Sequence, residues 1–107
     1  MVLLRYREFN LGLACYNCGN SAEAISCLRH SNLSDPYDGS VWGLLALCYA
    51  DTNNLTMVNQ CLKSYEKYSK ETSEERIEEI KNLIERKEPE TFYDESVKEN
   101  LLRRLVK

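Results

Sequence analysis

The sequence predicts an all-α protein: two helical hairpins in a right-handed stack, followed by one or two C-terminal capping helices. Three observations point there. First, the stretch Val41–Tyr65 lands on itself when shifted back by 34 residues: Leu45-Ala46-Leu47 falls on Leu11-Gly12-Leu13, and Val58, Cys61 and Leu62 fall on Ala24, Cys27 and Leu28. A repeat at this period marks stacked helix–turn–helix units. Second, 107 residues hold only four glycines and two prolines, and no β-type alternation is evident. Third, apolar residues recur at helical spacing, with turn residues between the runs.

Composition narrows the function classes. A net charge of −3 and a pI of about 5.2 give no electrostatic case for nucleic acid. Charge is also uneven. Residues 1–62 carry three basic side chains (Arg5, Arg7, Arg29) and five acidic ones, and residues 63–107 carry the other eleven and twelve. The first part therefore reads as packed core and the second as solvated helix surface. No apolar run approaches a membrane span. MVLLRYREFN reaches charge after three apolar residues, so no secretory leader is expected. Five cysteines in such a chain are expected to be reduced thiols.

The first helix is expected over about 3–18, apolar through Leu4, Phe9, Leu11, Leu13 and Tyr16. Gly12 costs about 1 kcal/mol against Ala in a helix interior, so it predicts close approach of a second helix. Gly19 ends this helix in a left-handed conformation. Asn20 caps the next helix, with Glu23 three residues on. That helix runs to about residue 33 with Ala24, Cys27, Leu28 and Ser31 inward, and Asp35-Pro36 stops it. The third helix, about 39–52, repeats the first, with Ala46 at the close-contact position and Asn53 as the left-handed cap. The fourth, about 55–70, turns Val58, Cys61, Leu62 and Tyr65 inward, and Glu66 is spaced to pair with Lys70.

Beyond residue 70 the repeat fails. Thr72 with Glu75 makes a capping box for a helix over 73–88, with a stripe of Ile77, Ile80, Leu83 and Ile84. A stripe backed by charge is what the end of a stack requires. Pro89 stops it. Thr91 with Asp94 opens a last amphipathic helix over 91–106, with Tyr93, Val97, Leu101 and Leu105 in its stripe, Leu102 beside it, and Glu99 spaced to pair with Arg103. The organisation expected is one helical domain over 1–107, with units over 5–36 and 39–70.

These residues resemble the tetratricopeptide repeat (TPR), W-x2-L-G-x2-Y…A-x3-F…P. The first copy supplies Leu11-Gly12, Ala24, Leu28 and Pro36, with Glu8 at the Trp position and Cys15 at the Tyr position. The second supplies Trp42, Leu45-Ala46, Tyr49 and Leu62, with Val58 for Ala and Lys70 for Pro. LGLACYNCGN…AEAISCL, GSVWGLLALCYA and EERIEEI also look like the C-terminal TPR segment of the cilia- and flagella-associated protein 70 family, over about residues 9–80. Residues 89–107 have no counterpart in that likeness.

The resemblance implies a non-enzymatic protein–protein interaction scaffold, a structural component of the axonemal central apparatus, in the cytoplasm and cytoskeleton of a cilium or flagellum. It also implies that the first helix of each unit lines a concave groove. That face would show Tyr6, Phe9, Asn10, Leu13, Tyr16 and Asn17 from one unit, and Ser40, Gly43, Leu44, Leu47 and Asp51 from the next. Being apolar and aromatic, it suits an amphipathic helix or an extended apolar peptide. The last helix is an equal candidate to fold back and fill it. The alternative is a soluble TPR adaptor or co-chaperone taking an acidic peptide terminus. That use needs cations on the groove, and Phe9, Leu13 and Leu44 stand where they would be.

Cys15-x2-Cys18-x8-Cys27-x2-His30 has the letters of a zinc site. Helical rise argues against it: across the turn at 19–20, Cys15 and His30 differ in height by about 9 Å and Cys18 and His30 by about 13 Å. Cysteine also serves as a small apolar filler, and Cys61 repeats Cys27 with no site around it. No metal or cofactor is expected. His30 is the only histidine, and Cys27 beside it has no visible orienter or oxyanion hole. No phosphate loop or dinucleotide pattern occurs. Enzymatic activity is therefore not expected.

Overall fold

The computed structural model describes residues 2–68, 74–86 and 95–105, and side chains within 9–68, 74–85 and 97–105. Among them are six helices and no strand: α1 (Val2–Asn17), α2 (Ser21–Ser34), α3 (Gly39–Asp51), α4 (Leu55–Tyr68), α5 (Glu74–Arg86) and α6 (Glu95–Leu105). The capping boxes expected at Thr72 and Thr91, the stop at Pro89, and Tyr93 lie outside the described residues.

The turns after α1 and α3 are one motif built twice. Asn20 N donates to Cys15 O at 2.9 Å, and Asn54 N donates to Tyr49 O at 2.9 Å. Gly19 N donates to Tyr16 O and Asn53 N to Ala50 O, both at 3.0 Å. Every partner recurs 34 residues on. These bonds satisfy carbonyls that a helix end leaves orphaned, and they need one residue in the left-handed region. Gly19 supplies φ 81° and Asn53 φ 60°. The following caps repeat too: the Asn20 side chain accepts from Glu23 N at 3.2 Å, and the Asn54 side chain from Met57 N at 3.3 Å.

Asp35 closes α2, and its side chain takes the Tyr37 amide at 3.1 Å. The cap of α3 is Asp38, whose Oδ1 accepts from Ser40 N at 3.1 Å and from Ser40 Oγ at 2.6 Å. The sequence reading had no role for Asp38, because Asp35-Pro36 already accounted for the turn.

Packing follows the chain: α1 against α2, α2 against α3, α3 against α4. The α1–α2 contact is close because Gly12 leaves room; a Cβ built there would lie 2.8 Å from both Cγ and Cδ2 of Leu28. Ala24, Leu28 and Ser31 of α2 are buried, whereas Cys27 is half-buried. Its counterpart Cys61 is buried beside Val58, Leu62 and Tyr65. The difference is positional, since α4 also carries α6 on its flank. Helix α3 is buried from Val41 to Ala50 apart from the half-buried Trp42. It is the centre of the molecule, touched by every other helix.

Helices α5 and α6 pack on each other and on α3, with α6 also on α4. Ile80, Leu83 and Ile84 of α5 are buried, as are Leu101 and Leu105 of α6. Tyr65 OH donates to Leu105 O at 2.8 Å, and Arg104 Nε to Glu66 Oε1 at 2.6 Å. Glu66 is thus engaged across helices by Arg104, while Lys70, its expected partner, lies outside the described residues. Arg103 donates to Asn100 at 3.2 Å.

Candidate interaction site

The face expected to be concave is largely covered by α5 and α6. Phe9 is buried, with the Arg76 guanidinium of α5 4.5 Å from its ring centroid. Arg76 Nη1 also donates to Asp38 Oδ2 at 2.9 Å and to Ser40 Oγ at 2.7 Å. One arginine therefore joins α1, the α3 cap and α5. Gly43 is the contact point for three helices: a Cβ built there would lie 3.2 Å from Ile80 and Tyr65 and 3.3 Å from Leu105. Leu44 and Leu47 are buried. Tyr16 is buried and donates to Asp51 Oδ1 at 3.3 Å, while Ser21 donates to Asp51 Oδ2 at 2.9 Å. The side chain of Tyr6 lies outside the described side chains.

Of the face expected from the sequence, Asn10 and Asn17 remain exposed and Leu13 and Asp51 half-buried. Asn10, Leu13 and Asn17 share one face of α1 by their spacing of three and seven. Leu13 and Asn17 line an open cleft of about 510 Å3 whose other wall is α5: Glu79, Asn82, Leu83 and Glu85. It pairs leucines with carboxylates and has no cation in its lining. The α5 wall was not visible from sequence, since Glu79 and Glu85 read there as ordinary solvated charge.

A second cavity, of about 310 Å3, lies on another side of α3. Its lining comes from α2 (Arg29, Asn32, Leu33), α3 (Trp42, Leu45, Tyr49) and α4 (Met57, Gln60, Cys61, Ser64). Both α2 and α4 pack on α3, and the groove is the gap between them. Trp42 is fixed there by its indole N–H, which donates to Pro36 O at 2.7 Å. The side-chain oxygen of Asn32 is sealed from solvent and accepts no hydrogen bond. Such an orphan costs about 1–3 kcal/mol.

No protein family, characterised protein or solved structure matches this chain. Its functional reading rests on its own residues.

Cys15 and Cys27 are half-buried and Cys18 and His30 exposed. Among the described residues, no group of three or more His, Cys, Asp or Glu side chains is placed to hold a metal ion. No helix there is long and apolar enough to cross a membrane.

Burial pushes the Cys61 thiol from 9.0 up to about 11, against the opposing pull of the Arg29 charge. Burial raises Tyr65 in the same direction. In the unfolded chain the thiol ionises near 9.0, so above that pH the unfolded state binds fewer protons than the folded one. The thiol's contribution is fully present below pH 9.0 and is lost as pH climbs toward 11. Thermal melts across this range should show a falling midpoint, shallower in Cys61→Ala. Equal slopes would exclude the thiol as the source.

Proposed function

We propose that this chain is a non-enzymatic protein–protein interaction scaffold, built as a TPR-like stack and serving as a structural part of a ciliary or flagellar axoneme. The stack reading is carried by the turn hydrogen bonds that recur at a spacing of 34 residues. The axonemal assignment is supported by the sequence resemblance alone.

The α1–α5 cleft is the surface best suited to a partner. Leu13 and Leu83 offer apolar contact, Asn17 and Asn82 offer hydrogen bonds, and Glu79 and Glu85 offer negative charge. The complement is an amphipathic helix with a basic edge. A co-chaperone that takes acidic peptide termini gains nothing from these carboxylates.

The test is retention of the tagged protein in detergent-extracted axonemes of ciliated cells. We expect the wild type to stay with the axoneme and Glu79→Lys/Glu85→Lys to wash out with its thermal melt unchanged. A wild-type protein found wholly in the detergent-soluble fraction would dispose of the axonemal role. Retention of the double variant would remove the cleft from the interface.

A further inference from the structure

The groove between α2 and α4 has a chemistry unlike that of the α1–α5 cleft. Its floor and walls are Leu45, Trp42, Met57 and Leu33, and Leu33 is 85% exposed, a large apolar side chain held open to solvent at the rim. Arg29 is the only charged residue in its lining. It makes no ion pair among the described residues. Its charge acts on the Cys61 thiol in the groove wall, so it lies within electrostatic reach of the interior. Asn32 stands three residues from Arg29, on the same face of α2. Native structures leave few acceptors unsatisfied as Asn32 Oδ1 is. A half-turn of the amide, which exchanges its oxygen and nitrogen, presents that acceptor to the groove.

These features ask for one ligand with three parts: an apolar body, a single negative charge, and an N–H donor close to that charge. We propose that the groove binds an N-acylated apolar amino acid as its free carboxylate. A small acylated acid has this chemistry, and so does the last residue of a protein chain. The carboxylate pairs with Arg29, for which guanidinium geometry is well matched. The amide N–H donates to Asn32 Oδ1. The side chain enters among Trp42, Leu45 and Met57. A volume of about 310 Å3 is at the small end of ligand cavities, so one residue and its neighbouring amide fill it.

Trp42 is the only tryptophan, so its emission reports directly on this groove. The full chain is titrated with N-acetyl-leucine, with acetyl-Gly-Gly-Leu as the free acid, and with both compounds as C-terminal amides. We expect a saturable change in Trp42 emission with the acids, at least tenfold weaker affinity for the amides, and a similar loss in Arg29→Gln. If the tripeptide acid binds tighter than N-acetyl-leucine, the source is a protein C terminus; if the two bind alike, it is a free acylated acid. Asn32→Leu should melt at higher temperature, having lost its orphan acceptor, and bind the acids several-fold more weakly. Equal binding of acids and amides would overturn the proposal. So would unchanged emission at millimolar probe, or wild-type affinity in either variant.

Discussion

Replacing Gly43 with leucine is expected to lift α5 and α6 off α3. Even a bare Cβ at this position would sit 3.2–3.3 Å from Ile80, Tyr65 and Leu105. Alanine is therefore tight but tolerable, because each contacted atom is the end or edge of a side chain. Leucine adds three more carbons where no space exists, and overpacking alone costs about 1–3 kcal/mol or more. The chain's remedy is to release the two helices. That gives up the burial of Ile80, Leu83, Ile84, Leu101 and Leu105, each of which contributes about 1.5–3 kcal/mol. Total stabilities are only about 5–15 kcal/mol, so the loss is large. Gly43→Leu should melt far below the wild type and expose Phe9, Leu44 and Leu47. Light scattering should then show self-association that grows with concentration. A Gly43→Leu protein that stays monomeric and melts at the wild-type temperature would show that α5 and α6 are not seated at this point.

The second large effect is expected at the α1–α2 contact. Leu28 is fully buried beneath Gly12, and Leu28→Ala should cost about 2–5 kcal/mol through lost burial and the cavity left behind. At about 4–8 °C per kcal/mol, a thermal melt resolves this easily. Gly12→Ala alone sets a helix-propensity gain of about 1 kcal/mol against a contact of 2.8 Å with Leu28, so a smaller net loss is expected. Combined, the two changes should cost less than their sum, because the methyl added at Gly12 enters space that the truncated Leu28 has vacated. Energies that add within about 0.5 kcal/mol would mean that Gly12 and Leu28 are not coupled.

What the sequence disclosed depends on how local each cause is. Gly19, Asn20, Asn53 and Asn54 act within one turn of their own helices, so their roles were readable without a fold. The inward rows of α4 and α5 were also readable, since Val58, Cys61, Leu62 and Tyr65, and likewise Ile80, Leu83 and Ile84, each form one stripe. A stripe says which side of a helix is apolar but not what it meets. The covering of Phe9, Ser40, Gly43, Leu44 and Leu47 by α5 and α6 was therefore open until the structure was at hand. Arg76 carried no signal at all. In EERIEEI it reads as one more surface charge, yet it bridges Phe9, Asp38 and Ser40. The α2–α4 groove was hidden for a related reason: Trp42, Leu45 and Tyr49 are repeat-motif positions, and a motif predicts contact rather than a gap.

The hydrogen bond from Tyr65 to Leu105 joins residues 40 apart in the chain. The turn bonds at Gly19 and Asn53 span only a few residues. Closing a long loop costs more entropy than closing a short one, and it delays the contacts that depend on it. The two hairpins are thus free to form early and independently, each from its own turn. Seating Leu105 under Tyr65 comes last, as the step that turns two neighbouring hairpins into one cooperative unit.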